Sequence, residues 1–386
     1  MNDFFEFTLQ PRIMYKAGLV REIGTELDTL GAKRAFIVAD AGIIQAGLLG
    51  TITESIAGSI EIVGIFTDVP ANSSVGAVER GAALAREAQA DIIIGIGGGS
   101  PIDTAKAMRI LLTEGGKLLD YQGYNLLTRS LIPMIAIPTT AGTGSEVTSW
   151  AVIRDEEQGT KMAFASPYLG PDLALLDPEL TLSLPPRLTA ATGMDALTHA
   201  IESFVGQNAN PITEILGLQA IDIISNNLRA ATHTGHDLEA RGQMLIAACI
   251  AGMAFSSGGG SLGVVHALAH SLGGVYEIHH GTANSILLPH GMHFNSEAVP
   301  NRFARIARAM GVNAGGRNEQ DVITDGIDAV QALAVDCNLP IRLRDAGIPN
   351  DQFAMIAELS ISDPAVYTNP RIVQLEDAIA ILEAAW

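Results

Sequence analysis

Asp195-Ala196-Leu197-Thr198-His199 sets a carboxylate and an imidazole four residues apart. On a helix that spacing brings both side chains to one face, where they hold a divalent metal or simply bond each other. A second cluster reads His266-Ala267-Leu268-Ala269-His270, followed by His279-His280-Gly281. Four of the nine histidines thus fall in a 15-residue window of largely small or apolar residues, which a solvated face does not explain. Asp195, His199, His266 and His280 make a set of three nitrogens and one oxygen suited to Fe(II) or Zn(II), unlike an oxygen-rich Mg or Ca site. Residue chemistry alone does not separate His280 from His279. His270, one turn beyond His266, is left unligated and free for proton exchange. The competing reading is that these histidines are polar core residues.

A different chemistry is suggested by Gly95-Ile96-Gly97-Gly98-Gly99-Ser100-Pro101-Ile102-Asp103, which lies between a β-branched run and a helical one. Gly97, Gly98 and Gly99 let backbone approach a ligand closely. Ser100 is predicted as the helix N-cap, Pro101 as the first helical residue and Asp103 as the third, an arrangement like a capping box. Free amides at that end receive phosphate. Thr139, Thr140, Thr143 and Ser145, in Thr139-Thr140-Ala141-Gly142-Thr143-Gly144-Ser145-Glu146, offer hydroxyls to a pyrophosphate, a ribose or a nicotinamide amide. Asp40, at the end of another run, is placed to accept from an adenosine ribose and to oppose an added 2'-phosphate, which favours NAD over NADP. The G-x-G-x-x-G pattern is missing after that run, so a dinucleotide here must use a different glycine turn.

These residues need elements to position them. Residues 35–39, 60–66, 91–96, 133–137 and 173–176 are predicted strands, and Ser74 to Ala88 has the apolar period of a crossover helix. That is α/β organisation with a parallel sheet covered on both faces. Beyond Pro186 helical patterns dominate, at Thr189 to Phe204, Glu214 to Ala231 and Arg241 to Phe255. The reading is therefore an α/β, Rossmann-like dinucleotide-binding domain over 1–183 and an all-α, metal-binding domain over 184–386, with a ligand expected in the cleft between them.

Composition narrows the function classes. The 386 residues are 48% hydrophobic and carry a formal charge of -19, which disfavours a nucleic-acid or acidic-membrane partner because phosphates are repelled. Gly242 to Tyr276 lacks Asp, Glu, Lys and Arg before Glu277, yet its Ser- and Gly-rich middle and its histidines suggest two buried helices, not a membrane span. Acids near the start argue against a secretory signal, and a cytoplasmic address is expected. Cys249 and Cys337 lie far apart and predict two buried, reduced thiols.

Taken in order, GGGSPIDTAKA at 97–107, PTTAGTGSEVT at 138–148, GMDALTHAIE at 193–202, HALAHSLGG at 266–274 and HHGTANSILLPH at 279–290 resemble the iron-containing, group III alcohol dehydrogenases over nearly the whole chain. The resemblance implies an N-terminal dinucleotide-binding domain, a helical metal domain, and oxidation of an alcohol, or reduction of its aldehyde or ketone, with NAD(P), and it matches Asp40 to the acid associated with NAD preference. It implies Asp195, His199, His266 and His280 as ligands, His270 as the nonligand histidine near the nicotinamide, and Lys161 and Leu180 as further cofactor neighbours. Iron and a homodimer are implied in the same way.

Two features depart from the family pattern. Phe255 and His266 are separated by SSGGGSLGVV, a longer glycine turn than the resemblance leads one to expect, centred on residues 258–260. Trp150 stands where a smaller polar residue is common. If Trp150 and Phe255 line the site, their area favours a compact aliphatic or an aromatic alcohol. The rival functions are a glycerol-dehydrogenase-like or dehydroquinate-synthase-like enzyme, and a noncatalytic, metal-stabilised NAD-binding protein. The second enzyme reading is weakened because the presumed metal cleft is poor in Lys and Arg.

Overall fold

The computed structural model describes residues 5–8, 11–157, 160–257 and 261–386. Residues 258–260, the centre of the long glycine turn, lie outside the described residues. Two compact units are formed, one of residues 10–140 and 144–183, the other of residues 1–9, 141–143 and 184–386.

The first unit is built on strands β1 (Arg12–Tyr15), β2 (Arg34–Val38), β3 (Glu61–Phe66), β4 (Ile92–Gly97), β5 (Gly123–Tyr124), β6 (Met134–Pro138), β7 (Trp150–Asp155), β8 (Thr160–Ala165) and β9 (Leu173–Leu176). A six-stranded sheet has the order β1-β9-β6-β4-β2-β3, and all its pairings are parallel. Helices α1 (Ile23–Thr29), α2 (Ala41–Gln45), α3 (Leu48–Ile56), α4 (Val75–Glu87) and α5 (Gly99–Thr113) supply the crossovers. Central β4 shows why the run is uninterruptedly apolar. Ile92, Ile94 and Ile96 join one buried cluster and Ile93 the other, so alternation along the strand feeds two cores. This is the Rossmann-like architecture expected. The antiparallel β7–β8 pair, with β5 beside β8, forms a second sheet that the strand reading did not include.

The helix after β4 corrects the expected cap. α5 starts at Gly99 with Gly98 as N-cap and no side-chain capping bond, so Ser100, Pro101 and Asp103 already lie inside the helix. Ser100 Oγ instead donates to the carbonyl of Ala71. Glycine gives the backbone latitude to start the helix earlier than side-chain capping rules suggest. Gly97 needs that latitude most, with φ 140° and a would-be Cβ only 2.8 Å from Pro101 Cγ.

Behind this turn lies a buried polar network. Lys106, fully buried, donates to Ser145 Oγ (3.0 Å), Thr148 Oγ1 (2.9 Å) and the Trp150 carbonyl (2.6 Å), with Asp103 Oδ1 at 3.7 Å. Ser145 Oγ donates to Asp103, which also accepts from the Val152 amide. The network ties α5 to the 145–152 segment. Burial drives the Lys106 ammonium down to about 8 and the adjacent Glu146 carboxyl up to about 7.

The second unit is helical: α6 (Pro186–Val205), α7 (Pro211–His233), α8 (Leu238–Ser256), α9 (Val264–Tyr276), α10 (His280–Ser296), α11 (Pro300–Ala309), α12 (Glu319–Asp336), α13 (Phe353–Ile361) and α14 (Leu375–Ala385). α6 is buried on every side from Thr189 to Val205 because α7, α8 and α10 pack around it. Its small residues admit those close neighbours. α8 is long and apolar enough to cross a membrane, but 61% of its apolar window is buried inside the protein. Cys249 and Cys337 are both buried and neither forms a disulfide.

Glu146 gives this fold a pH signature. Its carboxyl titrates at about 7 when folded against an ordinary 4.5, so the folded chain keeps a proton that the unfolded chain releases. The stability this confers is complete below pH 4.5 and is lost as the pH rises through 7, by on the order of 3 kcal/mol. Glu146→Gln should flatten that part of the profile. Thermal midpoints of both proteins between pH 4.5 and 7 test this, and parallel curves would mean that Glu146 is ionised in the folded chain.

Candidate functional site

The metal-type constellation forms within the helical unit. Asp195, His199 and Glu202 share one face of α6, and His266 faces them from the first turn of α9. Ligand atoms of Asp195, His199 and His266 all lie within 4.8 Å of one another, and all three side chains are buried. From the start of α10, His280 puts Nε2 3.5 Å from Asp195 Oδ1, with its ring centroid 5.4 Å from that of His266. Adjacent His279 instead lines a cavity of about 300 Å³ together with Arg187, Tyr276 and Ile348. The residue pair that chemistry left ambiguous therefore points to two different places.

One amide marks where the acceptors converge. Asn284 Nδ2 donates to Asp195 Oδ1 at 2.7 Å and lies 3.2 Å from His266 Nε2 and 3.1 Å from His280 Nε2. A carboxylate oxygen and two imidazole nitrogens thus crowd around one position, an arrangement that favours a positive centre. Buried His199 Nδ1 and Asn284 Oδ1 have no partner among the described residues. Burial pushes His199 down to about 3, so its imidazole is neutral and keeps a lone pair. Three imidazole nitrogens and one carboxylate, with His199 held neutral, fit a divalent transition metal.

The surroundings hold these groups in place. His199 is stacked between Phe255 and His266, with centroids 4.5 Å away on each side. Phe255 therefore covers one face of His199. Glu202 accepts His266 Nδ1–H at 2.6 Å and the Gly263 and Val265 amides at 2.9 and 2.8 Å. Burial opposes charge on His266, but Glu202 outweighs it and raises the pKa. His270 lies over His280, with centroids 5.2 Å apart and planes 12° apart, and its Nδ1 is 2.9 Å from Asp363 Oδ2. Burial pushes the Asp363 carboxyl up, yet the His270 charge and hydrogen bond bring it net below the usual value.

The phosphate-type constellation lies in the α/β unit, at the carboxyl ends of β2, β4 and β6. Asp40 follows β2 and caps α2, accepting from the Ile43 amide at 3.0 Å, while its other oxygen would be 3.6 Å from a Cβ on Gly97. Thr139 N–H donates to the Gly97 carbonyl at 3.0 Å, and Thr140 flanks Gly98. Asp40, Gly97, Gly98, Thr139 and Thr140 are therefore gathered at one sheet end, where ligands of such folds bind. Ser145 and Asp103 are committed to the Lys106 network. Thr143 belongs by its contacts to the helical unit, Lys161 is on β8, and Leu180 is buried in the apolar cluster that contains Ile96 and Ile137. Trp150 packs edge-on against Tyr124 at 5.1 Å.

Comparison with known proteins identifies the family. Residues 10–178 match the iron-containing alcohol dehydrogenase family, and residues 189–386 match its C-terminal region. The chain belongs to the iron-containing alcohol dehydrogenase family. It is 37% identical over 385 residues to an NAD-dependent methanol dehydrogenase of Bacillus methanolicus, with all of both chains covered. A 1,3-propanediol dehydrogenase of Klebsiella pneumoniae is 38% identical over 384 residues, covering 99% of each. The crystal structure of a 1,3-propanediol oxidoreductase superposes with a TM-score of 0.96 at 38% identity, over 99% of this chain and 100% of that one.

Several residues of this family member escaped the sequence reading. Glu202 sits seven residues after Asp195 on the same helical face, a spacing that was legible. Asn284 is one turn beyond His280, also legible. Asp363 has no local signal, because it reaches His270 across 93 residues of chain.

Gly281 controls the approach of His280 to Asp195. A Cβ there would stand 2.2 Å from the Ala191 carbonyl oxygen, a backbone atom of α6. Gly281→Ala should force α10 away from α6 and cost about 1–3 kcal/mol, as overpacking does. Gly274→Ala, whose added Cβ meets nothing within 4 Å, should leave stability nearly unchanged. Equal thermal midpoints for the two variants would contradict this account.

Proposed function

We propose that the chain is a metal-dependent dehydrogenase that transfers hydride between a small neutral primary or secondary alcohol and NAD, and reduces the matching aldehyde or ketone in reverse. The observation that carries this reading is the convergence of Asp195, His266 and His280 acceptor atoms around one buried position beside His199. Family membership and the NAD dependence named for the Bacillus relative support it.

Asp195, His199, His266 and His280 would hold the ion, with Fe(II) favoured by the family and Zn(II) suited to the same donors. Such an ion supplies polarisation of an alcohol or carbonyl oxygen, and the nicotinamide supplies the hydride acceptor. The protein's own residues do the rest. Phe255 covers one face of His199 and excludes water from that side. His270, held through Nδ1 by Asp363, keeps Nε2 available to take the hydroxyl proton or pass it to solvent. Gly97, Gly98, Gly99 and the start of α5 offer backbone amides to the pyrophosphate, with Thr139 and Thr140 alongside. Asp103 and Ser145 support that turn through Lys106. Thr143, Lys161 and Leu180 are assigned to the cofactor by family likeness alone. Trp150 and Phe255 are assigned to substrate selection, favouring compact aliphatic or aromatic alcohols over polar diols.

The test is an anaerobic panel of alcohols and aldehydes with NADH and NADPH after controlled Fe or Zn loading. Metal-dependent NADH oxidation with small aldehydes is expected, and His266→Ala should lose metal and activity together. Metal-independent turnover, or full retention of both properties by the variant, would reject the assignment.

Cofactor choice has its own test. Asp40→Asn removes the charge but keeps an oxygen to cap α2, so stability should hold while the NAD over NADP ratio of kcat/KM falls about tenfold. An unchanged ratio would remove Asp40 as the selector.

A further inference from the structure

Glu202 is 3% exposed, and both of its carboxylate oxygens are occupied by donors. Oε2 accepts from His266 Nδ1 (2.6 Å) and the Gly263 amide (2.9 Å), while Oε1 accepts from the Val265 amide (2.8 Å). The same carboxylate therefore fixes the ring of His266 and the backbone just before it. With Nδ1 bound in this way, Nε2 is left to face Asp195 Oδ1, 3.9 Å away. Asp195, His199 and Glu202 leave one face of α6 at successive turns, so a single rigid helix carries two nominated ligands and the group that aims a third.

We propose that Glu202 is a positioning residue of the metal centre, holding His266 in the orientation that presents Nε2 and thereby setting metal affinity. The proposal rests on the metal assignment made above for Asp195, His199, His266 and His280. Carboxylates behind ligating imidazoles fix the tautomer and strengthen the donor, and their loss lowers metal affinity about 10–100-fold. Glutamine is no substitute here. Three N–H groups aim at the two oxygens, so an amide NH₂ in place of either oxygen meets a donor with a donor.

The experiment measures Zn(II) and Co(II) affinity by competition with a chelator, for wild type, Glu202→Gln, His266→Ala and the double variant. NADH binding followed by fluorescence serves as the control. Glu202→Gln should weaken metal binding about 10–100-fold and leave NADH binding unchanged. In the His266→Ala background the same change should add little, because the two residues act through one donor. A helix-capping role alone predicts wild-type metal affinity in Glu202→Gln, or losses that simply add in the double variant, and either result overturns the proposal. Should the variants fail to fold, zinc-loaded wild type with ¹⁵N-labelled histidine decides. A strongly low-field Nδ1–H resonance of His266 close to the Gly263 amide is expected, and its absence rejects the proposal. If wild type binds neither metal, the metal assignment itself falls and the role of Glu202 falls with it. If wild type binds metal and His266→Ala does not, an unaffected Glu202→Gln rejects the role of Glu202 alone.

Discussion

Lone pairs do not crowd together in a protein interior without something positive to face. Asp195 Oδ1, His266 Nε2 and His280 Nε2 all lie around one Asn284 amide nitrogen, inside a shell formed by Phe255 and the walls of α6, α9 and α10. Each group alone is ordinary. Together, at a depth where His199 is held neutral by burial, three acceptor atoms converge on an amide that has only two N–H groups to offer. Much of the helical unit can be understood as the scaffold that enforces this convergence: α6 with its small residues, Gly281 at the α6–α10 crossing, and Glu202 at the entrance to α9.

The α/β unit solves a complementary problem, keeping a backbone turn open and rigid at once. Gly97 and Gly98 open it, since a Cβ at Gly97 would strike Pro101. Rigidity comes from behind, where the buried Lys106 ammonium gathers Ser145, Thr148 and the Trp150 carbonyl. The hydroxyl of Ser145 and the carboxylate of Asp103 are thereby drawn inward. They stabilise the turn from behind.

Most of the fold was legible because its signals are local. The apolar runs at 92–97 and 134–138 and the long patterns beyond Pro186 need only hydrophobic period to be read. The β7–β8 pair was readable in principle, since Trp150–Asp155 alternates in burial, but neither arm is as apolar as the sheet interior. The cap at Ser100 was misplaced because capping rules weigh side chains, whereas here glycine backbone began the helix sooner. The site divides in the same way. Asp195 with His199, and His266 with His270, announce themselves by helical spacing, as Glu202 and Asn284 could have done.

The amino-acid order alone determined the element types, the α/β-then-helical arrangement, the family and the nature of the donor atoms, because each depends on residue type and short-range period. Tertiary structure decided which of two neighbouring histidines faces Asp195, that Asp363 reaches His270, and that Glu202 grips His266. Those outcomes depend on the angle at which one helix crosses another, and a direction in space between residues dozens of positions apart is carried by packing, not by spacing along the chain.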